Sequence, residues 1–384
     1  MKSLAVLGST GSIGRQTLDV VRAFPDRLRI VALAAGQNID LLATQVSEFH
    51  PRLVSVESTD GKEALRHQIT DFHGQFLSMD EIACHPDVDL AVIATSGKAG
   101  LTPTLAAIRV GKTIALANKE VLVMAGELVT SEARACGAEL FPIDSEHSAL
   151  WQCLRGEAEG EIRRLILTAS GGAFRDLPLE KLIAVTPEQA LAHPTWQMGK
   201  KVTVDSATLM NKGFEVIEAH WLFDVPFDSI EVVLHHQSII HSLVEFVDGS
   251  IKAQLGLPDM HLPIQYALSY PERWSAPQSF YGRMDFQKLG AFTFAPLDPR
   301  RFPCFELAVE AGKRGGTHPA VLSAADEVAV QLFLERRIGF LDIAKLVEKV
   351  LDQHRGIDHP SLEDILEADT WARGMVEGLL FRLC

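Results

Sequence analysis

The first fourteen residues constrain what this chain can fold into more than any later stretch. Lys2 to Leu7 is a short apolar run suited to a strand, and Gly8-Ser9-Thr10-Gly11-Ser12-Ile13-Gly14 follows it at once. A helical stretch carrying Leu18, Val21 and Arg22 comes next. Strand, glycine-rich turn and helix in that order is the context a dinucleotide fingerprint requires. The spacing is G-x-x-G-x-x-G and not G-x-G-x-x-G, a form that still lets the backbone approach a pyrophosphate. Gly8, Ser9, Thr10, Gly11, Ser12 and Ile13 are therefore candidate cofactor contacts. Further apolar strands at 28–33, 53–56, 89–94 and 113–117 alternate with helical stretches, which predicts a Rossmann-like, doubly wound parallel sheet over 1–144.

The second of those strands runs into Gly36-Gln37-Asn38. A site built for NAD places Asp or Glu near such a strand end, to bind the ribose 2′-hydroxyl. The segment has none, so the sequence leans to NADP, with Gln37 and Asn38 able to hydrogen-bond a 2′-phosphate.

Three segments in the middle of the chain carry the other chemistry. Asp144 and Glu146 follow the apolar stretch Leu140-Phe141-Pro142-Ile143, and on an extended segment residues two apart project to one side. An isolated D-x-E is ordinarily a solvated turn, but a third carboxylate, Glu215, lies on a predicted helix over 206–223. Phe214, Ile217 and Trp221 form the apolar stripe of that helix, and Asp205 or Ser206 stands at its N-cap position. Asn211, Lys212 and Glu215 share one side of it. A surface ion pair would explain Lys212 and Glu215 blandly; Gly213 inside the helix, at a cost of about 1 kcal/mol, speaks for a site instead. Oxygen-only donors with no neighbouring cysteine or paired histidine suit Mg²⁺ or Mn²⁺ over Zn²⁺. Ser170-Gly171-Gly172, after the strand pattern Leu165-Ile166-Leu167, can form an anion-binding nest, and the Ser206 helix start adds its dipole. Paired with the N-terminal glycine-rich loop, the three segments predict an enzyme using a dinucleotide and a divalent metal on a phosphorylated substrate.

The chain's 384 residues suffice for two or three domains with large cores. A net charge of −14 argues against broad nucleic-acid binding. The five cysteines are scattered, without C-x-x-C, as in a reducing compartment. No apolar run approaches the roughly 20 residues of a membrane span, and a strand starting almost at Met1 leaves no room for a targeting peptide. The expectation is a cytoplasmic enzyme with no membrane or nucleic-acid partner. Beyond 144 the pattern predicts a central α+β catalytic domain over 145–270, a Pro-dotted linker over 271–303 and a C-terminal helical bundle over 304–384. Val321, Ala325, Val328 and Leu332 keep helical spacing there, as do Ile343, Leu346, Val347 and Val350, and Ser361 with Asp364 resembles a capping box.

The ordered set GSTGSIG at 8–14, AGL-x-PT at 99–104, Leu116-Ala117-Asn118-Lys119-Glu120, Asp144-Ser145-Glu146-His147-Ser148, HP-x-W-x-MGKK at 193–201, VDSATLMNKG-x-E at 204–215 and Pro258-Asp259-Met260 resembles the 1-deoxy-D-xylulose 5-phosphate reductoisomerases. The resemblance covers nearly the whole chain. It implies NADPH as cofactor, with Mn²⁺, Mg²⁺ or Co²⁺ held by Asp144, Glu146 and Glu215. It also implies a substrate phosphate held by Ser170, Ser206, Asn211 and Lys212, with Ser145 and His193 in the same pocket. Trp196 and Met198 would sit on a mobile lid over 186–201 that also brings Gly199 to the cofactor, and Asn118, Lys119 and Glu120 would lie where nicotinamide and substrate meet. Proton transfer would fall to Lys119 or Glu146.

The implied reaction rearranges a linear ketose phosphate to a branched aldehyde, commonly written as retro-aldol cleavage and aldol re-joining, and reduces that aldehyde with NADPH. The family is usually homodimeric. Four positions depart from its pattern: Gln37 where a basic residue is common, Ala169 where glycine is frequent, His236 where proline would be usual, and Asp326 where asparagine is common. A plain NADP-dependent dehydrogenase or a cofactor-binding regulatory module would also use the N-terminal loop, but neither has a use for three carboxylates.

Overall fold

A strand covered on both faces has no polar side, and β1 (Lys2–Leu7) is such a strand, buried from Ser3 to Leu7. In the computed structural model, which describes residues 1–196, 198–275, 282 and 284–380, it sits inside a seven-stranded parallel sheet. The other strands are β2 (Leu28–Ala35), β3 (Leu53–Val56), β4 (Gln75–Phe76), β5 (Leu90–Ile93), β6 (Thr113–Leu116) and β7 (Leu140–Pro142). Their order, β4-β3-β2-β1-β5-β6-β7, is the doubly wound topology expected, with β4 as a short strand the sequence pattern did not reveal. The connecting helices are α1 (Ser12–Ala23), α2 (Ile39–Phe49), α3 (Thr59–Gln68), α4 (Met79–Ala83), α5 (Leu101–Arg109) and α6 (Lys119–Cys136).

The strand order reverses between β1 and β5, the switch point at which such sheets bind ligands. Leu7 is level with Ala34 of β2 and Ile93 of β5, so three strand ends reach the same edge together. Gly8 makes that edge. Its φ is +91°, and a Cβ there would stand 2.4 Å from Ala94 O, so only glycine lets the loop pass.

Two compact units make up the chain. The first comprises 1–121, 129–148 and 259–283; the second comprises 122–128, 149–258 and 284–384. Helix α6 threads both, with a kink at Ala125 (φ −138°, ψ 28°), and α7 (Ser145–Leu154) begins in the first and ends in the second. The expected boundaries near 144 and 270 are therefore replaced by a discontinuous division, in which α11 (His261–Ser269) belongs with the parallel sheet.

In the second unit a five-stranded mixed sheet has the order β11-β10-β8-β9-β12. It is built from β8 (Ile162–Ala169), β9 (Ile230–Leu234), β10 (Ile240–Phe246), β11 (Ile251–Leu255) and β12 (Ala295–Pro296). The stretch expected to be a linker is thus partly structural: β12 pairs antiparallel with β9, and α12 (Phe286–Leu289) precedes it. Residues 276–281 and 283 of that stretch, and Gln197 of the expected lid, lie outside the described residues.

Helices α8 (Pro187–Ala190), α9 (Lys200–Thr208), α10 (Met210–Phe223), α13 (Pro303–Arg314), α14 (His318–Leu334), α15 (Phe340–Gln353) and α16 (Leu362–Leu380) complete the unit. The C-terminal helices form the expected bundle but not a core of their own. Val321, Phe333, Val347 and Val376 share one apolar cluster with Met210, Phe214 and Ile217 of α10. Ser361 and Asp364 cap α16 reciprocally, at 2.9 and 3.2 Å. Burial pushes the Cys153 thiol up to about 11 and Cys304 well above its ordinary range, so both are packing residues, not reactive thiols.

One helix differs from its expected course. In place of a continuous helix over 206–223, α9 ends at Thr208, Leu209 turns left-handed (φ +57°), and α10 restarts at Met210. Asp205 and Ser206 are consequently interior to α9 and cap nothing. Gly213 also finds a packing reason: a Cβ on it would lie 2.4 Å from the Cβ of Ala308 on α13. Gly213→Ala should therefore lower the melting temperature, because overpacking costs about 1–3 kcal/mol while the gain in helix propensity is about 1 kcal/mol. A calorimetric scan showing a raised Tm would contradict this account of the α10–α13 contact.

Candidate active site

The glycine-rich loop of the first unit assigns a separate job to each polar residue. Helix α1 starts after Gly11, which offers no side-chain cap, so the N–H groups of its first turn are left for an anion. Gly14 lets α1 close on the loop, since a Cβ there would be 2.2 Å from Gly8 O. Ser9 corrects the sequence reading. It is fully buried, its hydroxyl donates to Gln45 Oε1 at 2.7 Å, and its N–H donates to Ala34 O at 2.9 Å. Gln45 Nε2 in turn donates to Ser9 O at 2.9 Å. Ser9 and Gln45 hold the loop; Thr10, Gly11, Ser12 and Ile13 remain accessible to a cofactor.

At the end of β2, Gln37 and Asn38 are exposed, but Asn38 Oδ1 accepts from Leu41 N at 3.1 Å and so caps α2. The sequence reading found no acid here, yet the fold brings one. Glu57, just beyond β3, places Oε2 3.0 Å from where a Cβ on Gly36 would stand. That approach arises from the pairing of β2 with β3, which a linear reading does not show.

Asn118 is likewise a scaffold residue. Its amide donates to Thr95 O at 3.0 Å and Gly97 O at 2.9 Å, and its Oδ1 caps α6 through Val121 N at 3.1 Å. With its side chain joining the β5 and β6 loops, it presents Lys119 and Glu120 in the first turn of α6. Lys119 Nζ lies 2.7 Å from Asp144 Oδ2, and both side chains are largely buried. Glu146 is not on an extended segment: α7 begins at Ser145, so Glu146 occupies a helical first turn and the two-residue spacing argument fails. Asp144 O receives Ser148 N at 2.8 Å, and Ser145 Oγ donates to Glu146 Oε2 at 2.6 Å. A carboxylate in that position is favoured by the helix dipole.

In the second unit Ser170 and Ser206 are brought to the same loop. Gly171 and Gly172, at φ +85° and +70°, turn the chain after β8 so that Gly172 lies against Ser206, whose carbonyl oxygen a Cβ on Gly172 would meet at 2.3 Å. Ser170 Oγ accepts from Gly172 N at 3.2 Å and lies 3.1 Å from His193 Nε2. His193 Nδ1 accepts from Thr195 N at 3.1 Å and Trp196 N at 2.9 Å, so the neutral ring carries its proton on Nε2 and donates to Ser170. Desolvation, with the Arg175 guanidinium nearby, pushes the imidazole down to about 4. Ser170, receiving two donors, keeps its own O–H for a ligand.

Trp196 lies near His241, with ring centres 6.1 Å apart. Met198 is half-buried, and Gly199 stands at the N-cap of α9 with open space around it. On α10, Asn211 Nδ2 donates to Glu215 Oε1 at 2.6 Å, and Lys212 pairs with Glu215 Oε2. Lys212 and Glu215 are 4 % and 1 % exposed, so the pair is not a surface one.

Comparison with known proteins agrees along the whole length. A 1-deoxy-D-xylulose 5-phosphate reductoisomerase family model matches residues 4–126, the corresponding C-terminal domain model matches 140–223, and a DXP reductoisomerase C-terminal domain model matches 255–375. The reductoisomerase of Geobacillus kaustophilus is 53 % identical over 384 residues, covering 99 % of this chain and 100 % of that one. The one from Synechococcus sp. is also 53 % identical, covering 97 % and 96 %. Among solved structures, the Zymomonas mobilis reductoisomerase in complex with NADPH superposes with a TM-score of 0.91 at 43 % identity, covering 99 % of each chain. A reductoisomerase complex with NADPH, fosmidomycin and magnesium gives 0.92 at 41 % identity, covering 100 % and 99 %.

The His193 geometry predicts a ring that stays neutral in the working range. Its folded value lies below the ordinary one of 6.5, so the unfolded chain binds the extra proton first. The stability it contributes is complete above about 6.5 and is lost as pH falls towards about 4. Nitrogen NMR of the labelled imidazole should show an Nε2–H tautomer throughout the neutral range; a midpoint near 6.5 would refute the assignment.

Proposed function

The chain belongs to the 1-deoxy-D-xylulose 5-phosphate reductoisomerase family, and from that premise we propose that it converts 1-deoxy-D-xylulose 5-phosphate to 2-C-methyl-D-erythritol 4-phosphate with NADPH and a divalent cation. What supports the reading is the donor set of Ser170, His193, Ser206, Asn211 and Lys212 on a chain matched from end to end to the reductoisomerases. A plain dehydrogenase has no need of it.

These groups fit a phosphate dianion. Ser170 retains a free O–H, Ser206 is on the helix turn beneath the Gly172 loop, and Asn211 and Lys212 add amide and ammonium donors. Anchoring the phosphate orients the reacting carbons at a distance from it, so that remote binding energy assists the chemistry. Asp144, Glu146 and Glu215 are the oxygen donors suited to Mg²⁺ or Mn²⁺. Such an ion, when bound, supplies Lewis-acid polarisation of adjacent substrate oxygens, and NADPH supplies the hydride.

Between the two candidate proton carriers, we assign the transfer to Lys119. Its ammonium is oriented by Asp144 and largely shielded from water, whereas Glu146 receives Ser145 and is needed as a ligand. Ser145 thus steadies Glu146. Glu120, Thr10 to Ile13, Gly36 and Gln37 are assigned to the cofactor, and the resemblance adds Gly199. Trp196 and Met198 close over the substrate and exclude water from the aldehyde intermediate. The resemblance also supports a homodimer working in the cytoplasm; among the described residues no helix is long and apolar enough to cross a membrane.

NADPH oxidation should require both the ketose phosphate and Mg²⁺ or Mn²⁺, and EDTA should abolish it reversibly. Glu215→Gln should lower kcat/KM by about 100-fold or more while leaving NADPH affinity, followed by cofactor fluorescence, unchanged. Turnover that survives EDTA would instead indicate a metal-free dehydrogenase.

A further inference from the structure

The second unit buries a charge cluster to which the reaction assigns no task. Lys201, in the first turn of α9, places Nζ 2.5 Å from Asp205 Oδ2 on its own helix and 3.0 Å from Asp326 Oδ2 on α14. The same ammonium stands 4.7 Å from the centre of the Phe214 ring on α10. Asp205 and Asp326 are 2 % and 0 % exposed. One cation, 24 % exposed at its side chain, therefore ties together three helices of the unit through two carboxylates that lie out of water.

Buried ionic groups are a weak source of stability compared with apolar packing, because desolvation consumes most of the Coulomb gain. What they supply is placement. Here the placement matters because of the joint they surround. Ser206, next to Asp205, lies near the end of α9; Asn211, Lys212 and Glu215 lie on α10, with Phe214 among them. Between the two helices stands Leu209 in a left-handed conformation, which interrupts the regular ladder. Across the joint run short local bonds, such as Thr208 Oγ1 to Asp205 O at 3.2 Å and Met210 N to Thr208 Oγ1 at 3.2 Å. The angle between α9 and α10 is thus set by what packs across both: the apolar cluster that takes in Val204, Ala207, Met210 and Phe214, and Lys201, whose ammonium reaches Asp205, Asp326 and the Phe214 ring.

We propose that Lys201 is a positioning residue that, through Asp205, Asp326 and Phe214, fixes Ser206 relative to Asn211 and Lys212 and so shapes the pocket for the substrate's phosphate. The inference rests on the assignment of those three residues to phosphate binding. Asp326 has a part in this beyond filling space: its carboxylate gives Lys201 a fixed point on α14, where a neutral asparagine would give a weaker one.

The test is steady-state kinetics of the full enzyme with NADPH and Mg²⁺, together with competitive inhibition by inorganic phosphate and separate titration of NADPH. Lys201→Met should raise both the KM for the ketose phosphate and the inhibition constant of phosphate by on the order of tenfold, with kcat within about threefold and NADPH affinity unchanged. A lowered melting temperature with both constants unchanged would make Lys201 a stabilising residue only and overturn the proposal. Should Lys201→Met fail to fold, Asp326→Asn decides: it should raise both constants by about threefold, and unaltered constants overturn the proposal. Ser206→Ala and Lys212→Met serve as controls. If neither weakens phosphate inhibition, the phosphate assignment itself is wrong and the role of Lys201 falls with it. If both weaken it and Lys201→Met does not, only the positioning role is lost.

Discussion

A carboxylate taken out of water must be compensated, and the Glu215 carboxylate, almost wholly buried on α10, imposes that demand on everything around it. The chain answers from within the same helix turn, with Asn211 on one oxygen and Lys212 on the other. Three residues that share a helix side thereby become a preorganised set of charge and donors, with Lys212 and Glu215 shielded from water. The helix that carries them must then be rigid, and it is made so by the largest apolar cluster of the unit, which Phe214 and Ile217 enter from the face opposite the polar groups. Gly213 belongs to this arrangement, because α13 comes too close for any side chain there.

The sequence carried the parallel sheet, the positions of most strands, the C-terminal helices and the residue types of the site, because those depend on local periodicity and on chemistry that side chains bring with them. It misled where the outcome depended on a single backbone torsion or on a tertiary neighbour. Nothing in Ala207-Thr208-Leu209-Met210 announces that Leu209 turns left-handed, so a helix was expected to run through it. The Asp144–Glu146 pair was set on an extended segment because the strand pattern before it gives no sign that α7 starts at Ser145. Gly213 seemed to mark a site, whereas its reason is a contact with Ala308, far away in sequence. The same limit hid Glu57, brought beside Gly36 only by the pairing of β2 with β3.

Polar residues of a recognisable motif divide into those that hold the site and those left open to a ligand, and hydrogen-bond accounting separates them. Ser9 and Asn118 are motif residues whose side chains are committed to a buried glutamine and to backbone, whereas Asn38 commits its Oδ1 to Leu41 N and keeps its amide N–H groups for a ligand. A group so committed cannot also bind a cofactor without leaving its first partner unsatisfied, at a cost of about 1–3 kcal/mol when buried. Ser170 is the opposite case: among the described residues its oxygen receives, from His193 and Gly172, and its proton remains to be given. The neutral imidazole is what makes this work. A protonated His193 would have to turn a second N–H towards two backbone N–H groups, and the Nδ1 geometry that orders Thr195 and Trp196 would be lost with it. Holding the ring neutral therefore serves the Ser170 donor and the start of the Trp196 segment at once, which is why a histidine shielded from water stands there in place of a lysine or arginine.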